Sequence, residues 1–309
     1  MAYRIRESRP AVLFKKRWLS CFCLLVMGLV FFFAVFSSCR PGKPRSEKGV
    51  IAVSIEPLRY FTERIVGGRF DVVSVVPEGY SPETYEPAPE QLFSVSEAKA
   101  YIKVGRLGFE TTWLDKISRN EPKLPIYDTS DSLEHSVSGL RLVSFDPHTW
   151  TSPRNAEVIS RSICSALCQI DSSGAEIYQK NLEKLLLRIR AVDVSIRKTL
   201  EDLTDRTFVT AHPSLTYFAG DYGLRQLSIE KDGKEPSPTE LAGLVRQCKQ
   251  EKVRVILVQP EFSRESAKVL AEEIGAEVVD IHPLSYQWEQ EMLQVAKALK
   301  AGAAAKEKK

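Results

Sequence analysis

The stretch AEIYQKNLEKLLLRIRAVDVSIRKTLEDLT (residues 175–204) runs for thirty residues without a glycine or a proline. Apolar side chains recur along it at helical spacing; they are Leu182, Leu185, Leu186, Ile189, Val192, Ile196, Leu200 and Leu203. At 1.5 Å per residue, such a helix would extend for about 45 Å, which is more than one small domain requires. We therefore predict a rigid connector helix over 174–205 that joins two lobes. The alternative is a long helix packed within one domain.

Short β-branched runs alternate with helical patterns on both sides of this helix. Before it, strands are predicted at 50–55, 71–76, 100–105 and 124–128. After it, strands are predicted at 207–212, 225–230, 253–259 and 276–282. Strands separated by helices favour parallel sheets flanked by helices. The expected fold class is α/β, with an N-terminal lobe over 49–173, a C-terminal lobe over 206–300 and a cleft between them.

The charge of the chain is unevenly distributed. The net charge is +3 at pH 7, but residues 1–38 hold six basic residues and one acidic residue. The remainder of the chain is therefore slightly negative. Proteins that bind nucleic acid need a basic surface, so nucleic acid is not an expected partner.

The N-terminus has the pattern of an export signal. A basic segment ending in KKRW (15–18) precedes an apolar run from Trp18 to Phe36, and FSSC (36–39) resembles the lipobox of bacterial lipoproteins. We predict a lipoprotein-type signal peptide over 1–38, lipidation at Cys39, and a flexible tether over 39–48. The expected location is the periplasmic face of a membrane, held by the lipid anchor. The alternative is that residues 18–36 remain as an anchor helix. Residues 301–309 are predicted to be a disordered tail.

Three of the four histidines follow predicted strands. His148 comes after the extended RLVSFDP, His212 after TFVTA, and His282 after VVDI, whereas His135 lies in a polar loop. Ligands of open α/β sheets gather at the carboxyl ends of strands, and three imidazoles suit Zn²⁺. A fourth ligand could come from the loop after the second strand, which offers Glu78, Glu83 and Glu86. The pattern alone does not choose between them.

Four stretches together resemble a known family. They are SPETYEPAPEQL (81–92), FDPHTWTSP (145–153), TAHPSLTYFAGDYGL (210–224) and VVDIHPLSY (278–286). In order and spacing they are similar to the ligand motifs of the zinc- and manganese-type solute-binding lipoproteins of bacterial ABC importers, the cluster A-I metal-binding proteins. The resemblance covers roughly residues 49–299.

The resemblance implies a metal site formed by Glu83, His148, His212 and His282. Glu83 stands where the family usually has His, and His282 stands where it usually has Asp, so the set keeps one carboxylate and three imidazoles. A histidine at the third position goes with zinc in this family, which makes Zn²⁺ the expected cargo and Mn²⁺ the alternative. Asp146 and Asp280 each lie two residues before a predicted histidine ligand, where a carboxylate can orient the ring.

The resemblance implies a monomer that captures the metal ion and delivers it to a membrane permease and its ATPase, without enzymatic activity. Two other functions remain open at this point. One is a zinc-dependent hydrolase in which three histidines leave an open metal position and Glu83 is the general base. The other is a surface adhesin, supported only by the membrane tether.

Overall fold

The computed structural model describes residues 48–131, 133, 146–230 and 233–304. The predicted signal peptide, Cys39, most of the tether and His135 lie outside these residues. Within the described part of the chain, no helix combines the length and the apolar character that crossing a bilayer requires.

The N-terminal lobe is a parallel four-stranded sheet with flanking helices. Its strands, in the spatial order β2-β1-β3-β4, are β1 Val50–Val53, β2 Asp71–Ser74, β3 Ala100–Lys103 and β4 Ile126–Asp128. Its helices are α1 Glu56–Val66, α2 Pro89–Ser96, α3 Gly108–Asn120 and α4 Pro153–Ile170. The central strand β1 is an apolar run whose last three residues are fully buried, as expected for a strand covered on both faces.

The C-terminal lobe repeats this arrangement. Its strands, in the order β6-β5-β7-β8 and again all parallel, are β5 Thr207–Thr210, β6 Arg225–Ser228, β7 Val255–Val258 and β8 Glu277–Asp280. The helices that follow the connector are α6 Thr216–Asp221, α7 Pro238–Gln250, α8 Glu265–Ile274 and α9 Trp288–Ala304. In each sheet the second strand lies on one side of the first strand, and the third strand lies on the other side. The loops that leave the carboxyl ends of the first and third strands therefore run in opposite directions and leave a crevice between them.

The connector helix α5 spans Ala175–Leu200. Its 26 residues correspond to about 39 Å. Its buried stripe contains the apolar residues predicted from Leu182 to Leu200, and the helix contacts α1 and α4 of the N-terminal lobe as well as α9. The prediction of two parallel-sheet lobes joined by one long helix is confirmed.

Several element boundaries differ from the sequence-based prediction. Most strands end about two residues earlier than predicted, because the chain leaves the sheet at the carboxyl ends to build the crevice. Helix α3 was not predicted. It begins where the buried carboxylate of Glu110 accepts hydrogen bonds from the backbone N–H groups of Val104, Gly105 and Leu107, at 2.8, 2.9 and 3.2 Å. Helix α9 continues through Ala304, whereas a disordered tail was predicted from residue 301.

Two tryptophans link the segment before α4 to the segment before α9. The indole Nε1 of Trp150 donates to the carbonyl oxygen of Pro283 at 2.8 Å, and that of Trp288 donates to the carbonyl oxygen of Trp150 at 2.7 Å. Both side chains are almost completely buried. Trp288 also packs edge-on against Phe61 of α1, with ring centroids 5.1 Å apart. The two lobes are therefore joined by directed contacts in addition to α5.

We predict that Trp288→Ala destabilises the metal-free protein by about 3–5 kcal/mol, because it removes a buried aromatic ring and leaves the carbonyl of Trp150 without its donor. Chemical denaturation followed by circular dichroism measures this change. The matched control is Leu187→Ala on α5, where the side chain is 66% exposed; its effect should stay within about 0.5 kcal/mol. Equal effects of the two substitutions would show that the tryptophan contact does not stabilise the fold.

Candidate metal site

Three side chains from distant parts of the sequence converge in the crevice. One ligand atom from each of Glu83, His148 and His212 lies within 4.8 Å of the others. The two Nε2 atoms of His148 and His212 are 3.3 Å apart. His148 begins the 3-10 turn before α4, and His212 lies two residues after β5. The site is therefore shared between the two lobes.

The loop that carries Glu83 is held against the start of α3. The backbone N–H of Phe109 donates to the carbonyl oxygen of Pro82 at 3.0 Å. A Cβ atom at Gly108 would lie 2.3 Å from the carbonyl oxygen of Glu83, so only glycine permits this close approach. Among the three acidic residues that the sequence offered on this loop, Glu83 reaches the histidines, whereas Glu78 and Glu86 are exposed.

Asp146 orients the ring of His148. One of its carboxylate oxygens, Oδ1, accepts from the backbone N–H of His148 at 2.9 Å and lies 2.7 Å from Nδ1 of the same residue. Burial alone would raise the pKa of Asp146, but the hydrogen bonds from the ring and the backbone N–H of His148 hold it below its usual value. The hydroxyl of Tyr217 donates to the backbone oxygen of Asp146 at 2.9 Å. The carboxylate of Asp146 thus lies beside Nδ1 of His148, where a carboxylate can orient the ring of a metal ligand.

Glu230 orients the ring of His212, a contact that the sequence analysis missed. Its Oε2 lies 2.9 Å from Nδ1 of His212, and the ring of Phe262 stacks on the imidazole with centroids 4.3 Å apart and an interplanar angle of 7°. Glu230 lies two residues after β6, the strand that neighbours β5. The rule that placed the histidines at strand ends would also have placed Glu230 there.

The two carboxylates determine which ring nitrogens are free. A carboxylate beside Nδ1 favours the tautomer with its hydrogen on Nδ1, which leaves a lone pair on Nε2. With both rings in this tautomer, the two Nε2 lone pairs face each other across 3.3 Å, and they cannot bond to each other without a donor between them. Two nitrogen ligands of a tetrahedral Zn²⁺ ion, each 2.0–2.1 Å from the metal, would lie about 3.3 Å apart.

The third donor strengthens this interpretation. Oε1 of Glu83 is buried and has no hydrogen-bond partner among the described residues. Buried polar atoms of native proteins nearly always have a partner. A bound cation would accept the two Nε2 lone pairs and balance the negative charge of the Glu83 carboxylate. The three side chains therefore fit a divalent metal ion.

The remaining predicted residues lie elsewhere. His282 is exposed and lines a separate surface cavity with Glu78 and Glu291. Its backbone N–H donates to Oε1 of Glu291 at 2.7 Å, which fixes the chain where it leaves β8 with the imidazole outside the cluster. The carboxylate of Asp280 pairs with Arg264 on the surface and does not orient His282. Within the described part of the chain, the group of side chains that could hold a metal ion consists of Glu83, His148 and His212, whereas Glu261, another candidate for the carboxylate ligand, lines the same cavity but lies outside this group.

Comparisons with known proteins identify the family of this chain. Residues 51–302 match the family described as ZnuA, zinc-uptake complex component A, periplasmic. A putative metal-binding protein of Treponema pallidum (strain Nichols) is 30% identical over 275 residues, which cover 83% of this chain and 86% of the relative.

Two solved structures show the same fold at higher identity. The crystal structure of ZnuA has a TM-score of 0.77 and 34% identity, covering 82% of this chain and 99% of that one. A ZnuA mutant with residues 138–173 deleted and zinc bound has a TM-score of 0.76 and 34% identity, covering 83% and 98%. The family comprises solute-binding proteins and not enzymes, so the expected resemblance is confirmed. This chain belongs to the family of the periplasmic component A of zinc-uptake complexes.

Proposed function

We propose that this protein captures a divalent metal ion, with Zn²⁺ as its cargo, and delivers it to the permease of an ABC importer. The observation that carries the proposal is the pair of Nε2 atoms 3.3 Å apart, one from each lobe, beside the unpartnered carboxylate oxygen of Glu83. Family membership and the zinc bound to the related ZnuA mutant support the same cargo.

The donor set favours zinc and leaves manganese as the alternative. Two imidazoles and a carboxylate are ordinary ligands of Zn²⁺, whereas Mn²⁺ prefers a larger number of oxygen donors. Zinc also follows manganese in the Irving–Williams order, so the same ligands hold it more tightly. We therefore assign Zn²⁺ as the preferred ion and Mn²⁺ as the weaker one.

We also propose where the protein acts and with what. Export by the segment over 1–38 and lipidation of Cys39 would hold the folded body on the periplasmic face of a membrane, within reach of the permease and its ATPase. The body would act as a monomer, since one copy of the chain supplies all three proposed ligands and the site needs no second copy. The segment over 39–48, rich in proline, glycine and charged residues, has the composition of a linker between an anchor and a folded body.

We predict that Glu83→Gln, His148→Ala and His212→Ala each weaken Zn²⁺ binding by more than about 100-fold, since each removes a direct ligand and the loss of an outer partner alone costs about 10–100-fold. Competition titration with a chromophoric chelator measures the affinities. His282→Asn is the matched control, because its side chain is exposed and outside the cluster; it should change the affinity by less than about threefold. Strong loss on His282→Asn together with full binding by Glu83→Gln would contradict the proposed ligand set.

The metal-free site should make the fold sensitive to acid. Burial, and then the neighbouring His148, lower the pKa of His212 below its ordinary value near 6.5. As the pH falls through 6.5 the unfolded chain takes up a proton on this ring while the folded ring stays neutral, so stability decreases on acidification. Between pH 7 and pH 5 we expect a loss of up to about 2 kcal/mol from this residue. Urea denaturation with chelator present measures it, and His212→Gln should reduce the loss; an identical pH dependence in the variant would refute this origin.

Lipidation can be tested separately from metal binding. In a bacterial host that processes lipoproteins, Cys39→Ser should move the protein from the membrane fraction to the soluble fraction or block its processing, because the anchor has no other attachment point. Fractionation and the mass of the mature N-terminus provide the measurement. Zinc affinity of the purified variant should match that of the parent protein. Unchanged membrane association with an unmodified Cys39 in the parent protein would support the retained anchor helix instead.

A further inference from the structure

We propose that Gln259 is a further residue of the metal site, and that its side-chain oxygen accepts a hydrogen bond from a water molecule occupying the fourth position of the metal shell. This inference rests on the proposed function, because it assigns a role toward the same ion. It concerns a residue that neither the histidine pattern nor the ligand motifs singled out.

Gln259 lies where the topology directs side chains into the crevice. It directly follows β7, and β7 pairs with β5, the strand that leads to His212. Its side chain is buried, with 3% of the residue exposed. It lines the same cavity as Glu83, His148 and His212. The residue is therefore part of the wall around the proposed ion.

The nitrogen of the Gln259 amide has a neighbour as its partner. The Nε2 of Gln259 donates to the hydroxyl oxygen of Ser214, which is also buried. The backbone N–H of Ser214 in turn donates to the carbonyl oxygen of His212 at 2.8 Å. With the nitrogen bound on that side, the oxygen Oε1 occupies the other end of the amide. This contact ties the amide to the turn that carries a proposed ligand.

The oxygen of this amide has no partner. Oε1 of Gln259 is buried and makes no hydrogen bond within the part of the chain that the structure describes. A buried amide oxygen without a donor is rare in native proteins, and each instance calls for an explanation such as a bound water or ion. A purely structural role, through Ser214, would use only the nitrogen and would leave the oxygen unexplained.

The cavity contains an excess of acceptors. Oε1 of Glu83 and Oε1 of Gln259 are both unpartnered, and the Nε2 atoms of His148 and His212 in the same cavity lie 3.3 Å apart. A cation satisfies the carboxylate and the two imidazoles directly. An uncharged amide oxygen is a weaker ligand for Zn²⁺ than any of these, but it is a good acceptor for the hydrogen of a metal-bound water, whose polarity the ion increases.

Three side-chain ligands leave one position of a tetrahedral shell open. A water held there needs polar partners besides the metal, and Gln259 supplies one from the wall of the cavity. The fourth ligand of the metal is thus a water molecule held by Gln259, and not the side chain of His282 that the sequence predicted. Gln259 is a positioning residue: it acts on the ion through the water.

The test compares two substitutions of Gln259 in the full-length protein, purified in detergent. Gln259→Leu keeps the size of the side chain but removes the acceptor, and it should weaken Zn²⁺ binding by about 10–100-fold, the usual effect of losing an outer partner. Gln259→Glu places a negative charge beside the bound water and should tighten Zn²⁺ binding. Competition titration gives both affinities. The visible absorption spectrum of the Co²⁺-loaded protein reports the geometry of the shell and should differ from that of the parent in both variants.

Gln247→Leu is the matched control, since Gln247 lies on α7 and its amide bonds to Glu251 away from the cavity. It should alter neither the zinc affinity nor the cobalt spectrum. If Gln259→Leu does not fold, Gln259→Glu still tests the inference. A Gln259→Glu protein with the same Zn²⁺ affinity and the same cobalt spectrum as the parent overturns it. A Gln259→Leu protein that melts at a lower temperature yet binds Zn²⁺ like the parent also overturns it and leaves Gln259 a structural residue.

Failure of this inference is distinguishable from failure of the proposed function. If the parent protein binds Zn²⁺ and Glu83→Gln abolishes binding while both Gln259 variants behave like the parent, only the role of Gln259 is lost. If the parent protein itself does not bind Zn²⁺, the proposed function fails together with this inference.

Discussion

The site depends on one constraint: the Nε2 atoms of two imidazoles from different lobes lie 3.3 Å apart. Each ring is held by a carboxylate on its opposite nitrogen, Asp146 for His148 and Glu230 for His212. Without a cation, the converging lone pairs and the nearby carboxylate of Glu83 repel one another. The lobes must therefore be held together by other contacts, and the long helix and the tryptophan pair provide them.

The scaffold opposes this repulsion close to the ligands. Trp150 lies two residues after His148 and bonds to Pro283, while Trp288 bonds back to the carbonyl of Trp150. These bonds lie in a buried apolar region, where water does not compete for the donors and acceptors. The burial of apolar side chains stabilises the protein enough to hold the ligand side chains close together, although that arrangement is unfavourable on its own. Such local conflicts are common at binding sites.

Much of this fold was predictable because its signals are periodic. The helical spacing from Leu182 to Leu200 identified the connector, and the apolar runs at β1 and β7 identified buried parallel strands. The strand-end rule predicted that His148 and His212 lie at one edge of the crevice, where the structure brings them together. It did not separate them from His282, which also follows a strand but is exposed and lies outside the group. Which way a side chain turns after a strand depends on tertiary packing and has no local signature in the sequence. Glu230 and Gln259 were missed for a related reason, since neither residue type stands out until its contacts are known.

The stripe of apolar side chains on α5 has a consequence for the way the protein unfolds. Its residues belong to one continuous core that also includes side chains of α1, α4 and α9. The C-terminal lobe has a second, separate apolar cluster between its sheet and helices α7 and α8, so only the side that faces α5 depends on the shared helix. A fragment that contains only one of the two lobes would therefore expose the unused flank of that helix to water.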